Sequence, residues 1–232
     1  MLIMIGDVPF MPRKRNTQRR MEIVNAAFRL FAEQGYDNVQ MKDIADECDI
    51  SKSLLQHYFP KKIVLLSTML NELMLSAFVY GNEQLTALSP EQRTMIQMGF
   101  LLRMLDENPT IEHFIKDVFE SPELTTEIVL VTLDWLEAIG VDGETLTIRY
   151  ATNFAVSGGM AVFFKRKLLR ASVEGIAENI DHAFYLLLGE DSQKINQIYL
   201  STAKYCTDRY YQAFITNLHE HSTINLRAEI QI

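Results

Sequence analysis

Cysteine is scarce: Cys48 and Cys206 are the only two in 232 residues. Two are too few for a disulfide framework, and a reducing cytoplasm is the expected compartment. Long apolar runs are missing as well. No stretch approaches the ~20 apolar residues that a bilayer crossing takes. The opening segment MLIMIGDVPF places its basic residues after its short apolar run, the reverse of a secretory signal. No membrane partner is expected. The five histidines, His57, His113, His182, His219 and His221, show no metal-binding spacing such as H-E-x-x-H, so neither metal nor cofactor is expected. A phosphate loop and a G-x-S-x-G elbow are also absent, and Gly158-Gly159 falls inside a helical stretch. No catalytic constellation remains, and the chain is not read as an enzyme.

Helical periodicity runs through most of the chain, with little β patterning, no internal repeat and no low-complexity linker. The fold class is all-α. Charge is divided along the chain: Met11 to Lys62 holds ten Lys and Arg against seven Asp and Glu, while the residues beyond Lys62 hold twelve against twenty-two. The overall −8 therefore hides a basic module ahead of a larger acidic one. The expected division is a flexible arm over 1–16, a small basic domain over 17–62, and a larger helical domain over 63–232. The arm carries Arg13-Lys14-Arg15, with Arg19-Arg20 close behind, and could touch phosphates or enter a minor groove. Translation is expected to begin naturally at Met11, because the preceding ten residues fit no part of the helical pattern.

Within the basic module, Ile23, Ala26, Ala27, Leu30 and Phe31 form one apolar stripe on a helix stopping near Gly35. Met41, Ile44, Ala45 and Cys48 repeat the pattern over a shorter span. Cys48-Asp49-Ile50-Ser51 then reads as the turn of a helix-turn-helix. Asp49 occupies the position where the backbone swings to positive φ, which short polar side chains tolerate. Ile50 plugs the angle between helices, and Ser51 caps the next helix, Lys52 to Tyr58. Leu55 and Phe59 face inward there, which leaves Lys52, Ser53, Gln56 and His57 turned outward as candidate readers of DNA. Lys42 projects from the scaffold helix.

This segment resembles the tetracycline-repressor (TetR/AcrR) family of bacterial transcriptional regulators. The resemblance rests on Ala26-Ala27, Leu30-Phe31, Gly35-Tyr36, Asp43-Ile44-Ala45, Ile50-Ser51-Lys52, and Tyr58-Phe59 followed by Lys62. It is close over about residues 19 to 66 and extends further only in helical layout. Gln40 departs from the capping Thr or Ser usual in the family. The resemblance implies a repressor that binds a palindromic operator on double-stranded DNA as a homodimer and is released by a small, largely apolar ligand. It places Lys42, Lys52, Ser53, Gln56, His57, Tyr58 and Lys62 at the DNA, with Lys62 touching a phosphate from the start of the fourth helix. A chromosome-organising or cell-division protein of the same fold, with no effector, is the alternative.

Beyond Lys62 a long helix is predicted from about Lys61 to Leu88. Ser89-Pro90, Asn108-Pro109 and Ser121-Pro122 each pair a capping residue with a proline at the first helical position. Gly140 to Gly143 breaks the chain before helices over about 144–168 and 172–189, and a final helix is predicted over 192–219. Met98, Phe100, Met104, Phe114, Phe119, Trp135, Phe154 and Met160 make up a methionine-rich and aromatic candidate ligand pocket. By the resemblance, the helices near 144–168 and 172–188 form a four-helix bundle with a second copy. Small or apolar residues on them, Ala151, Ala155, Gly158, Ile176, Ile180, Ala183, Phe184 and Leu187, are the candidate dimer interface.

Overall fold

The computed structural model describes residues 14–224, and its described residues form twelve helices and no strand. The proposed start at Met11 and residues 1–13 of the expected arm lie outside them. The first four helices are α1 (Lys14–Gln34), α2 (Met41–Glu47), α3 (Lys52–Tyr58) and α4 (Lys62–Glu83). The helix that was expected to follow the arm thus begins at Lys14. Next come α5 (Pro90–Glu107), α6 (Pro109–Glu120), α7 (Pro122–Ile139) and α8 (Thr145–Phe163). The chain closes with α9 (Arg166–Leu169), α10 (Val173–Leu187), α11 (Ser192–Thr202) and α12 (Asp208–His221).

Local chemistry sets most boundaries. Ser89 and Ser121 accept from the backbone N–H groups of Gln92 and Leu124, with proline at the first helical position each time. Asn108 makes no side-chain cap at the head of α6; its amide instead donates 2.7 Å to the Met104 carbonyl, closing the end of α5. Gly140 ends α7 in the left-handed region (φ 84°), where a Cβ would be strained. Two expectations fail here. The 144–168 helix breaks after Phe163 into a separate short turn, α9. The single last helix is two, because the chain tightens after Thr202 through bonds from Tyr205 N to the Thr202 carbonyl and from Cys206 N to that of Ala203. Thr207, extended, and Asp208 then start α12, a start signal present in the sequence but passed over there.

α4 is the axis of the molecule. It is long and apolar enough by composition to cross a bilayer, contrary to the expectation. Eleven of its residues, from Leu65 to Gly81, are buried against α1, α5, α7 and α12, which makes it a core helix. Phe78 stacks on Trp135 of α7 at 4.6 Å between centroids. α10 packs on α8 and α5. The approach to α8 is close enough that a Cβ on Gly159 would lie 2.1 Å from Ile180 Cγ1. Arg166, buried, ties α9 to α5 and α6: its Nε donates 2.7 Å to Asp106 Oδ1, and Nη1 and Nη2 donate 2.6 and 2.8 Å to the two Glu112 oxygens. Such a bidentate fork fixes orientation as well as distance.

Candidate nucleic-acid interface and apolar cavity

The first three helices build a head around Ile23, Ala27, Phe31, Ile44, Leu55 and Phe59, all buried. Asp49 takes φ 50°, the left-handed conformation expected of the turn. Ser51 Oγ accepts from Leu54 N at 3.2 Å and lies 3.0 Å from Ser53 Oγ. Asp43 accepts from Gln40 N at 2.7 Å, so the head of α2 is capped from inside the helix although Gln40 lacks a hydroxyl. With Leu55 as its inward anchor, α3 exposes Lys52, Ser53, Leu54, Gln56 and His57, and Lys42 of α2 is exposed too. Tyr58 is half-buried, with the His57 ring edge-on to it. Leu54, 40% exposed between the polar readers, was missed in the sequence. An apolar side chain on a groove-facing helix suits a thymine methyl.

Lys62 needs correction. Its ammonium donates 2.6 Å to the Tyr36 carbonyl and 2.9 Å to that of Val39, and sits 4.0 Å from the centre of the Tyr36 ring. Two of its three N–H donors are therefore committed to the α1–α2 loop, and burial lowers its pKa. Lys62 is a staple that sets the loop; the exposed cation at the head of α4 is Lys61. Of the basic run, Arg19 pairs with Glu22 at 2.8 Å, and Arg20 lies over the Phe59 ring at 4.3 Å while donating to the Tyr58 carbonyl. Both belong to the head, not to an arm.

Behind the head, α4, α5, α6, α7, α8 and α10 line a partly open cavity of about 100 Å³. Met98, Met104, Phe119, Trp135 and Met160 line it as expected. Three expected residues do not. Phe100 is buried in a separate aromatic cluster with Tyr80, Tyr211 and Phe214. Phe114 packs edge-on against Phe28 of α1, joining the head to the rest of the molecule. Phe154 is 59% exposed, stacked beside Tyr150 on the outside of α8. Sequence reasoning missed Gln97, Thr152 and Asp181, which are buried in the same lining. Each interrupts an apolar stripe with a polar group, the one local signal available.

Two helices join cavity to head. α4 walls the cavity with Leu73, Met74 and Phe78 and carries the Lys62 staple at its start. α6 offers Ile115 and Phe119 to the cavity, while Asp117 accepts 3.2 Å from Tyr36 N in the stapled loop.

The family model described as bacterial regulatory proteins, tetR family, matches residues 23–69, the span of the head and the start of α4. The head, residues 23–69, is a DNA-binding domain of the TetR family. It is similar to the HTH-type transcriptional repressor KstR of Mycolicibacterium smegmatis, 26% identical over 186 residues, which cover 76% of this chain and 90% of that protein. The HTH-type transcriptional regulator YuxN of Bacillus subtilis is 47% identical over 49 residues, covering 21% of this chain and 17% of that protein. Among solved structures, RolR in complex with resorcinol superposes with a TM-score of 0.61 at 16% identity, covering 79% of this chain and 93% of that one. A TetR regulator from Rhodococcus sp. RHA1 gives 0.55 at 20% identity, covering 78% and 100%.

On α8 and α10, where a second subunit was expected to pack, the structure redraws the expected patch. Ala151, Ala155, Ile176, Ile180 and Phe184 are buried within the one chain, where α8 meets α10 and the cavity. Only Gly158, Ala183 and Leu187 of the expected set reach the surface. The exposed large apolar residues of α8 are Leu146, Tyr150 and Phe154, four apart and so on one face, and Val162 further round the helix, with Leu186 and Leu187 on α10.

Proposed function

We propose that this protein is a repressor that grips a palindromic operator as a homodimer and lets go when a compact, largely apolar molecule fills the cavity. The observation that carries this reading is the double engagement of α4 and α6. Each presents side chains to the cavity on one side and holds the α1–α2 loop of the DNA-binding head on the other. An effector that fits the cavity better in one arrangement of these helices than in another moves the heads, and equal affinity for both arrangements would move nothing. The same engagement favours a ligand-responsive regulator over an effector-free chromosome-organising protein. KstR is named as a transcriptional repressor, and RolR holds resorcinol in a chain of this fold.

The division into a head, residues 17–62, and an effector and dimerisation domain from residue 63 onward follows the same helices, with α4 as the shared part. On the DNA, Lys52, Ser53, Leu54, Gln56 and His57 face the major groove, Lys42 and Lys61 add phosphate contacts, and Tyr58 lies at the rim. Lys62 keeps the helix start and loop in register. As a regulator of transcription the protein works on the nucleoid, in the cytoplasm. The test is fluorescence anisotropy with DNA from upstream of its own gene over a salt series. One preferred palindrome is expected, with Gln56→Ala and His57→Ala narrowing the gap between that site and random DNA, and Lys42→Ala weakening both alike and flattening the salt slope by about one. Indifference of the wild type to sequence would defeat the repressor reading.

A further inference from the structure

The cavity is apolar except at Thr94, Gln97, Thr132, Thr152 and Asp181, and Asp181 is the one ionisable side chain in its lining, with no Lys, Arg or His. Gln97, Thr152 and Asp181 are each more than nine-tenths buried. Gln97 Nε2 donates to the Ala77 carbonyl at 3.0 Å, yet Gln97 Oε1, Thr152 Oγ1 and Asp181 Oδ2 have no hydrogen-bond partner in the protein. Thr94 is different, since its hydroxyl already meets Tyr185 Oη at 2.7 Å. Buried polar atoms are paired in the great majority of cases, and an orphan costs the fold on the order of 1–3 kcal/mol. Three orphans on one small apolar cavity mark a place prepared for a partner.

The chemistry of the three selects the partner. Gln97 Oε1 only accepts, Asp181 accepts or, protonated, donates, and Thr152 does either. A carboxylate or phosphate ligand would meet an acid and a carbonyl oxygen with no cation to offset it. An ammonium ligand would have to give up its hydration and draw Asp181 into the charged form in a site walled by Phe78, Trp135 and Phe184. A neutral hydroxyl satisfies the same atoms without creating charge. Size narrows the choice further: about 100 Å³ is below the ~150 Å³ of a cavity that takes up benzene, so a single ring enters only as the flexible methionines of the lining give way, and a larger skeleton does not fit.

We propose that the effector is a neutral, hydroxyl-bearing molecule of about one ring, whose hydroxyl is held by Asp181, Gln97 and Thr152. This rests on the cavity being the effector site, and the experiment separates the two ideas by measuring binding and DNA release apart. Calorimetry of the full chain with phenol, cyclohexanol, toluene, benzoate and benzylamine is the first arm. Phenol and cyclohexanol should bind at least tenfold more tightly than toluene, and benzoate and benzylamine more weakly than either. Asp181→Leu and Thr152→Val remove an orphan each, so both variants should fold, and the phenol-to-toluene preference should shrink toward one while toluene affinity holds or rises. A merely structural role for these residues would leave that preference unchanged and would overturn the proposal. So would benzylamine binding best, toluene matching phenol, or no uptake of phenol or cyclohexanol. The second arm is release of operator DNA by the bound alcohol. Uptake without release sustains the ligand class and counts against the repressor mechanism alone.

Discussion

Asp181 has a consequence for folding as well as for binding. Burial pushes its carboxyl well above the ordinary 3.8. The folded chain therefore keeps a proton that the unfolded chain loses as pH rises past about 4. Since the native state binds more protons over that range, stability from this group is present at low pH and declines with rising pH, at about 1.4 kcal/mol per unit, until Asp181 itself ionises in the fold. Asp181→Asn should abolish that decline and exceed the wild type in stability at neutral pH. Urea unfolding of both proteins across about pH 5 to 8 reads this directly, and parallel curves would mean that the carboxyl ionises in place. Gly159 is a second single-residue constraint. With Ile180 Cγ1 2.1 Å from where a Cβ would sit, Gly159→Ala must displace the Ile180 side chain or part α8 from α10, and should cost about 1–3 kcal/mol. Gly99→Ala in α5, which meets nothing within 4 Å, should instead gain about 0.5–1 kcal/mol from helix propensity. Thermal melts of the pair, reported as opposite shifts in Tm, check both signs.

At the level of helices, α6 is where occupancy of the cavity and posture of the head meet. Ile115 and Phe119 line the cavity, and between them, on the opposite side of the helix, Asp117 accepts from the Tyr36 amide that belongs to the loop held by Lys62. Asp117→Ala should leave ligand uptake within about twofold by calorimetry, yet cut by about fivefold or more the factor by which ligand weakens operator binding, within the usual range of such couplings. An unchanged factor would shift the coupling to α4 alone. Helix starts were legible in the sequence because they are local: a serine before a proline makes its own case at residues 89 and 121, and the positive φ of Asp49 follows from the four-residue turn around it. Which face of a helix looks inward was not legible for α8, because apolar side chains lie on both its faces, Ala151, Ala155 and Met160 within and Tyr150, Phe154 and Val162 without. Periodicity cannot rank two apolar stripes; only packing against α10 does. The same holds for Lys62, whose place in the family motif said where it stands but not that two carbonyls hold it.

For the whole molecule, the outer stripe of α8 is the surface that a second copy is expected to cover. Leu146, Tyr150 and Phe154 are 70%, 61% and 59% exposed, and aromatic side chains grouped on one helix face in this way mark an interaction surface. α11 and α12 sit elsewhere. α12 lies along α4, where Phe214 is buried beside Tyr80 and Phe100. The chain after it runs back to α4 and the head, where the Thr223 hydroxyl donates to Glu72 of α4 and its carbonyl accepts from Asn25 of α1. α12 braces α4, α11 packs on α5 and α10, and both leave the α8 face clear. A charge on that face therefore acts on assembly and not on the fold: Phe154→Arg removes exposed apolar area without opening the core. In sedimentation equilibrium the wild type should run as a dimer and Phe154→Arg as a monomer with an unchanged Tm at low concentration. Because a palindrome is gripped by two recognition helices about 34 to 36 Å apart, and one head alone keeps only its phosphate attraction and half of its base contacts, the monomer should lose specific operator binding by a factor of a hundred or more while its weak, salt-sensitive affinity for random DNA persists. A variant still dimeric would place the partner on another face. A monomer that held the operator with full affinity would remove the dimer from the mechanism of recognition.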